Sequence, residues 1–378
     1  MAEAITLLII FHLAFWWKFY FNPWRLCTSE IVSNEYPHWL WMGRQLRKGI
    51  WPMKDNIYYR EPGSIPFLCT FYPPYFVTAW ISSFVTQNTS FKLYSYLIYI
   101  HSLLGSLFSY IILYKYGQLI ALFGALSLTY NAYMIRPQTA CMMFTMAWIP
   151  ACLVPGWFGM IAFGMAILGG YWPIILAGFP IFLFNPSCLI GSLLALPQII
   201  PFLRYYPKSV RAKKPFDKTW GRMPLKRFFF QLRWPENGMI HYPEYSFGVG
   251  VCFFVALFVP SWWWIVALYG FIGSQGVFIL DRIPARFVYL VSFAVIMASI
   301  SALDLLNSHF ILGLTILQGF LLWKNRDIYP SFPFSQWWTQ ISNHKFVGKE
   351  WPNNTGYMNE EHHHDYYGGF ALAENYRG

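Results

Sequence analysis

Four carboxylates lie in a polar stretch near the N-terminus: Glu30, Glu35, Asp55 and Glu61. A positioned carboxylate can act as a general base, or it can bind a divalent cation that neutralises a phosphate. Glu30 and Glu35 are the catalytic candidates because they come first after an apolar segment. The alternative is that both belong to the solvated face of an amphipathic helix. A divalent cation is the one cofactor that this stretch suggests.

Cationic side chains accompany these carboxylates. Arg44, Arg47 and Arg60 lie in the same stretch, and Arg211 is one of ten basic residues within 204–233. Such side chains could bind the phosphate of a substrate, as cations do where negative charge develops. Basic residues beside apolar segments more commonly set membrane topology or contact anionic lipid headgroups. Because the charge is placed in this way, the net charge of +11 does not predict a nucleic-acid partner.

The histidine tract His362, His363 and His364 is a candidate for binding a transition metal. Its ligands are consecutive, so a rigid site would need further ligands from elsewhere in the chain. The six cysteines are scattered without a CxxC pair, which predicts neither a disulfide framework nor a metal site. The sequence contains no Walker A loop, dinucleotide-binding glycine pattern or HExxH, so we expect neither ATP nor a dinucleotide.

The composition predicts that an integral membrane protein carries these residues. Of the 378 residues, 56% are apolar and 21% aromatic, whereas only 11% are charged. A soluble domain of ordinary composition is about a quarter charged. So little charge cannot cover a water-soluble fold of this size, and we therefore expect lipid to face much of the outer surface.

Apolar segments follow one another along the chain, and a helix of about 20 apolar residues crosses the hydrocarbon of a bilayer. We expect an all-α fold with ten to twelve transmembrane helices. The predicted segments are residues 4–21, 65–85, 93–114, 118–134, 139–154, 158–171, 173–184, 188–203, 247–259, 262–279, 287–305 and 310–323. Several of the pieces between residues 156 and 201 are too short to cross alone, which leaves the count open.

Two polar loops interrupt the predicted membrane domain, residues 1–323. The loops are 22–64 and 204–244, and the tail, 324–378, is expected to lie outside the membrane. Within the first loop, residues 29–48 resemble an amphipathic helix that lies in the membrane interface. Both loops are basic, so charge counting does not decide on which side each lies.

The order of several short motifs resembles a known family. In chain order they are GIWP at 49–52, FYPP at 71–74, AWIP at 147–150, GGYWP at 169–173, LPQIIP at 196–201 followed by SVR at 209–211, and IPARF at 283–287. This succession is similar to the YfhO-type bacterial membrane proteins, which belong to the GT-C glycosyltransferase superfamily. The resemblance covers residues 5–310, and each motif is short and degenerate.

The resemblance implies a multi-span enzyme that moves a sugar from a polyprenyl-phosphate donor to an acceptor, in a bacterial inner membrane or its equivalent. It implies an acidic base in the first extracytoplasmic loop, which activates the acceptor hydroxyl and inverts the anomeric carbon. Glu30 or Glu35 fills this position, where the family usually has Asp. The residues expected to bind the leaving phosphate are Arg44, Arg47, Arg60 and Arg211.

Departures from the family keep other hypotheses open. The chain is shorter than typical YfhO-type proteins and lacks their extended C-terminal membrane region and large soluble part. A shortened relative without activity would serve as a membrane subunit of a larger assembly, with other membrane proteins as partners. A transporter is the third hypothesis, although no second half matches the short pieces of residues 156–201.

Overall fold

The computed structural model describes residues 1–21, 25–26, 35–51, 69–131, 140–205, 249–277, 287–325 and 332–333, together with residues 223, 225 and 228. The α-helices within these ranges are α1 (Ala2–Phe21), α2 (Tyr36–Arg47), α3 (Pro73–Ser82), α4 (Gln87–Leu113), α5 (Gln118–Tyr130), α6 (Ala140–Trp148), α7 (Trp157–Leu168), α8 (Trp172–Ala177), α9 (Phe179–Phe182), α10 (Leu196–Tyr205), α11 (Val251–Ala256), α12 (Trp263–Ser274), α13 (Val288–Leu303) and α14 (Ser308–Asn325). The 3-10 helices are Tyr114–Tyr116, Pro150–Leu153 and Pro186–Ala195.

The predicted all-α fold is confirmed for this part of the chain. Extended structure among the described residues is limited to two short antiparallel strands, β1 (Arg25–Leu26) and β2 (Phe332–Pro333). Arg25 pairs with Pro333 and Leu26 with Phe332. The start of the first polar loop therefore lies against the C-terminal tail.

The described helices other than α2 lie at the predicted apolar segments, and two of the described helices are long and apolar enough to cross a membrane. These are Thr89–Tyr116, with 28 residues, and Pro186–Arg204, with 19 residues. The shorter apolar helices in the described ranges are Gln118–Tyr130, Ala140–Leu153, Trp157–Leu168, Trp263–Ser274 and Val288–Leu303. The expected count of ten to twelve crossing helices therefore remains a prediction.

The long helix α4 is the element against which α1 and α5 pack. His12 Nδ1 lies 3.1 Å from Tyr130 Oη and 3.3 Å from Ser102 Oγ. Trp16 Nε1 donates to Ser102 Oγ at 2.9 Å, and the Trp16 ring stacks on Tyr99. Because these contacts set α1 antiparallel to α4, α1 ends where α4 begins. We call this the first-loop end of the molecule, and the end at which α4 finishes the opposite end.

Helices α2 and α3 run parallel to each other at the first-loop end. Trp39 Nε1 donates to the carbonyl of Tyr75 at 3.1 Å, and Arg47 Nη1 donates to the carbonyl of Ser83 at 2.8 Å, so the contacts repeat with a constant offset of 36 residues. Between them, Gly43 lies on the α3 backbone with no room for a Cβ. The pair comprises the described helices that precede and follow residues 52–68 in the chain.

Exposure changes along the axis of α2 rather than around it, which differs from the predicted interfacial helix. The described side chains of its first two turns are buried, whereas those of its last turn become half-buried and then exposed. The reason is aromatic packing, because Tyr36 lies edge-on to Phe91 and also contacts Tyr94. Only the last turn of α2 has the exposure expected of a helix at an interface.

Helices α7, α8 and α9 form a helical hairpin, residues 157–182. Its base is closed by Asn185, whose Nδ2 donates to the carbonyls of Cys152 and Val154, both at 2.7 Å. At its tip, the N–H of Tyr171 donates to Thr145 Oγ1 on α6 at 3.0 Å. The hairpin thus starts and ends beside the segment that follows α6, and its tip contacts the middle of α6.

The chain then runs from the hairpin base past the hairpin tip. The 3-10 helix Pro186–Ala195 packs along α7 and continues as α10. Gln198 Nε2 donates to the carbonyl of Ile167 at 3.3 Å, and Phe202 stacks on Trp172 with ring centroids 4.7 Å apart. The end of α10 therefore lies beyond the tip.

The two polar loops consequently begin at the same end of the molecule. Helix α6 runs parallel to α4, because the Phe144 ring contacts His101 and Ala147 packs on Gly105 one turn further along both helices. The hairpin base follows α6 and so lies towards the opposite end. Since α10 runs back past the tip, the basic loop leaves α10 on the side of the first polar loop.

Helices α11 to α14 complete the described fold. Helix α12 packs closely on α13, where Gly270 lies against the carbonyl of Phe287. Helix α14 packs on α5, and its buried Gln318 reaches the start of α11. Gln318 Oε1 accepts from the N–H of Val251 at 3.1 Å, and Nε2 donates to the carbonyl of Val249 at 3.3 Å. This side chain fixes the start of α11, the first described helix after the basic loop.

Candidate functional site

Glu35 is the predicted catalytic residue that falls within the described residues. It directly precedes α2, and its side chain reaches the first residues of α6. The N–H of Ala140 and the hydroxyl of Tyr94 donate to Oε2, and the thiol of Cys141 donates to Oε1 at 3.1 Å. The hydroxyl of Tyr75 donates to the backbone carbonyl of Glu35 at 3.4 Å. Donors from α4 and α6 therefore occupy both carboxylate oxygens.

Opposing effects set the pKa of Glu35. Burial raises this pKa, and the hydrogen bonds from Cys141, Ala140 and Tyr94 lower it; burial has the larger effect, so the pKa rises from 4.5 to about 7. The positive end of the α6 dipole also favours the anion. A carboxyl group with a pKa near neutrality can gain or lose a proton at physiological pH, as a general acid or base must. Glu35 also has a structural role, because it accepts the first N–H of α6, which has no partner within that helix.

Helix α6 also joins motifs that are far apart in the sequence. Trp148 of the AWIP motif donates its indole N–H to Tyr72 Oη of the FYPP motif at 2.7 Å. His101 Nδ1 faces the carbonyl of Leu97, which can only accept, so Nδ1 carries the ring proton. His101 Nε2 is then the acceptor for the Tyr72 hydroxyl at 2.6 Å. The hydrogen-bond directions in this chain of groups are thus fixed.

The GGYWP motif packs on the same helix. Tyr171 donates to Thr145 on α6, and Gly169 lies on the α6 backbone with no room for a Cβ. Gln198 of the LPQIIP motif donates to the carbonyl of Ile167 on α7, next to this contact. The FYPP, AWIP, GGYWP and LPQIIP motifs therefore form one continuous set of contacts around α6.

The two described arginines of the predicted phosphate site lie further along α2. Arg47 is exposed, donates to Ser83 and has its guanidinium 5.0 Å from the centroid of the Phe84 ring. A cation at the C-terminal end of α3 is favoured by the helix dipole. The helical rise places Arg44 and Arg47 roughly 14 and 18 Å from Glu35 along the axis. Helix α2 itself therefore does not bring either cation onto the carboxylate.

The remaining predicted residues, Glu30, Arg60, Arg211 and His362–His364, lie outside the described residues. Their roles remain predictions from the sequence. Among the residues that are described, no group of three or more His, Cys, Asp and Glu side chains could hold a metal ion. This finding does not extend to the first-loop carboxylates other than Glu35 or to the histidine tract.

Sequence reasoning missed the partners of Glu35. Tyr94 and Cys141 lie 59 and 106 residues away along the chain, within apolar segments, where Cys141 reads as a small hydrophobic residue. The sequence offered only a general indication of these contacts and no motif. Polar side chains such as Tyr94 and Thr145 need partners when they are buried in apolar segments, but the sequence does not say which partners.

Comparison with known proteins identifies no relative. No family model matches the chain, and no curated protein and no solved structure matches it either. The fold and the site alone define the class: an α-helical protein with a buried carboxyl group at the start of an internal helix.

Proposed function

We propose that this protein is an integral membrane glycosyltransferase of the GT-C type, in a bacterial inner membrane or its equivalent. It moves a sugar from a polyprenyl-phosphate donor to an acceptor at the membrane surface. The observation that carries the proposal is the set of hydrogen bonds that connects four resembling motifs on and beside α6, whose first N–H binds the carboxyl group of Glu35. The FYPP and GGYWP motifs contact α6, AWIP overlaps its end, and LPQIIP contacts α7 beside GGYWP.

The distribution of apolar side chains supports the membrane location. Large apolar side chains are exposed on several helices that are distant in the sequence, and in water such surfaces are rare on a monomer. Examples on the two terminal helices α1 and α14 are Leu7, Ile10, Leu13, Phe310, Ile316 and Phe320. Buried polar groups such as His12 and Ser102 are hydrogen-bonded inside, as helices in lipid require.

Glu30 and Glu35 have different roles in this proposal. Because protein donors occupy both oxygens of Glu35, this residue holds the start of α2, within the first loop, against α6. Glu30, five residues earlier, is then the base that takes the proton of the acceptor hydroxyl. The acceptor oxygen forms a bond with the anomeric carbon while the bond from that carbon to the phosphate oxygen breaks. Arg60, Arg211 or a divalent cation balances the charge of the leaving polyprenyl phosphate.

Sugar transfer in proteoliposomes tests this function. The purified protein is incubated with polyprenyl-phosphate-linked glucose or mannose carrying a radiolabel, and loss of label from the lipid is measured. We expect turnover by the natural chain, loss of turnover for Glu30→Gln, and reduced turnover for Glu35→Gln. Equal turnover by the natural chain and Glu30→Gln would refute the assignment of the base. An absence of turnover with both donors, together with no binding of polyprenyl phosphate, would refute the transferase.

A non-catalytic membrane subunit is the second candidate function. The observation that favours it is the structural use of both predicted functional groups, since Glu35 caps α6 and Arg47 closes α3. Mild solubilisation and affinity purification from native membranes test it. A stoichiometric set of other membrane proteins, retained by Glu30→Gln, would favour the subunit, whereas a chain purified alone would favour the enzyme.

A further inference from the structure

The helical hairpin, residues 157–182, has backbone groups satisfied by side chains of this chain at both of its ends. At the base, the side chain of Asn185 is only 7% exposed, and its amide group donates hydrogen bonds to the carbonyls of Cys152 and Val154. At the tip, Thr145 accepts the N–H of Tyr171. Buried backbone groups need hydrogen-bond partners in any protein, and water supplies them only at exposed turns. Irregular backbone in hydrocarbon must find them inside the protein.

Charge is absent from this whole region of the sequence. Residues 137–203 contain no Asp, Glu, Lys, Arg or His. The turns at the hairpin base instead present aromatic rings: Trp157 is 72% exposed and Phe184 is 50% exposed. Phe184 stacks on Trp263 with ring centroids 4.3 Å apart, and the neighbouring Trp262 is 77% exposed. Exposed Trp without charge is typical of the boundary between lipid headgroups and acyl chains.

The hairpin is too short to cross a bilayer and return. Helix α7 has 12 residues, and its rise gives a length of roughly 18 Å against about 30 Å of hydrocarbon. Its tip ends on the buried middle of α6 rather than on the surface. The residues that follow the base, Pro186–Arg204, form one of the two helices long enough to cross. The crossing on this side of the molecule is therefore made by that helix.

We infer that residues 157–182 form a re-entrant hairpin, which enters and leaves the membrane at the opposite end of the molecule, with Trp157, Phe184 and Trp262 against the lipid headgroups. The partner of this aromatic surface is the lipid bilayer. The inference rests on the membrane location within the proposed function and is independent of the sugar-transfer reaction. The hairpin tip also supports α6, because it contacts Thr145, five residues after Ala140, whose N–H binds Glu35.

Single-cysteine labelling in sealed proteoliposomes tests the re-entrant path. The five described cysteines are buried, so Cys27→Ser provides the background. Pro155→Cys and Pro186→Cys place thiols at exposed positions on the two sides of the hairpin base, and Lys48→Cys is the matched exposed control at the first-loop end. A membrane-impermeant maleimide is added outside, or outside and inside. We expect both base positions to react from one side and Lys48→Cys from the other.

The outcomes separate the inference from the proposed function. Reaction of Pro155→Cys and Pro186→Cys from opposite sides would overturn the re-entrant hairpin, because residues 157–182 would then cross the membrane. Reaction of all three positions from outside only, in protein that carbonate extracts from the vesicles, would overturn the membrane location itself. Neither result measures sugar transfer, which the radiolabel assay reports separately.

A fluorophore gives a second measurement that does not depend on thiol reactivity. Bimane attached to Pro155→Cys is quenched by lipids brominated either near the headgroup or deep in the acyl chain. We expect stronger quenching by the shallow bromines for Pro155→Cys and no quenching for Lys48→Cys. Equal weak quenching at both positions would show that the aromatic base does not contact lipid, and it would overturn the assigned partner.

Discussion

Two helices of this protein begin where a side chain from a distant element accepts their first N–H, yet the two side chains differ in charge. Helix α6 begins at the carboxylate of Glu35, and α11 begins at the amide of Gln318. Glu35 receives donors only, from Ala140, Tyr94 and Cys141. Gln318 must accept from one backbone group and donate to another. The chemical type of each cap therefore follows from what faces it, not from the helix that it starts.

Asn185 extends the comparison to a side chain that faces acceptors. Its Nδ2 donates to two carbonyls, and its Oδ1 accepts from Ser187 Oγ at 2.6 Å. The three side chains differ in the number of hydrogen bonds that they donate and that a carboxylate could not donate. Asn185 donates two, Gln318 donates one and Glu35 donates none. Exchanging acid and amide at the three positions should give losses of stability in that order.

The largest loss is expected for Asn185→Asp. The substitution keeps the shape of the side chain but leaves two buried carbonyls without a donor and faces them with a carboxylate. We expect a loss of about 3 kcal/mol or more, since each unsatisfied buried group costs about 1–3 kcal/mol. Thermal unfolding in detergent, followed by tryptophan fluorescence, measures it. A melting temperature equal to that of the natural chain would contradict the hydrogen bonds at the hairpin base.

Gln318→Glu should cause the next largest loss. One donor disappears, and the new carboxylate oxygen faces the carbonyl of Val249, while the other oxygen still accepts from Val251. We expect a loss of about 2 kcal/mol, from one unsatisfied carbonyl and the repulsion between two oxygens. The same unfolding measurement applies, with Gln318→Met as the control that removes the polar group at similar volume. A Glu variant more stable than the Met variant would refute the assigned amide orientation.

Glu35→Gln should cause a smaller loss at pH 4.5 and below, where the carboxyl group is protonated in the folded chain. The amide oxygen can still accept from Ala140 and Tyr94, whereas the amide NH2 group replaces the oxygen that accepts from the Cys141 thiol. A loss of about 1 kcal/mol is expected from this one weakened hydrogen bond. Glu35→Ala is the comparison, because it removes every contact and should cost more. Equal stability of the Gln and Ala variants would show that the carboxyl contacts contribute nothing.

The pH dependence of stability is the last test, and among the three caps it belongs to Glu35 alone. Burial raises the pKa of this residue to about 7 in the folded chain, against 4.5 when unfolded. Between these values the folded state holds a proton that the unfolded state has lost, so stability falls as pH rises from 4.5 to 7. Glu35→Gln should remove that slope. An unchanged slope in the variant would assign the pH dependence to another group.

The sequence predicted the helices well and their partners poorly. Apolar runs such as 118–134 and 287–305 became helices near the expected positions, because uninterrupted apolar runs of this length are too long for typical strands. The number that crosses the membrane did not follow, because length alone cannot distinguish a hairpin that turns back at Gly169 from two crossing helices. That decision depends on Asn185 and Thr145, whose partners are distant in the sequence.

The candidate site shows the same division. Glu35 was singled out because of its residue type and its place after the first apolar segment. Its burial by Tyr94, Ala140 and Cys141 could not be predicted, since none of these residues belongs to a motif. The amphipathic pattern of residues 29–48 likewise predicted a helix, but it could not reveal that α3 and α4 would enclose the first turns of α2. Local patterns specify local structure, whereas enclosure depends on the assembled fold.

The 3-10 winding of residues Pro186–Ala195 has a consequence for the proposed membrane location. A 3-10 helix rises about 2.0 Å per residue and an α-helix about 1.5 Å, so the 19 residues of Pro186–Arg204 reach roughly 33 Å instead of roughly 28 Å. If this helix crosses the membrane as proposed, the tighter coil lets a short apolar sequence match about 30 Å of hydrocarbon without tilting. In thinner bilayers the same helix would be too long, and hydrophobic mismatch would favour its rewinding towards the α-helical form.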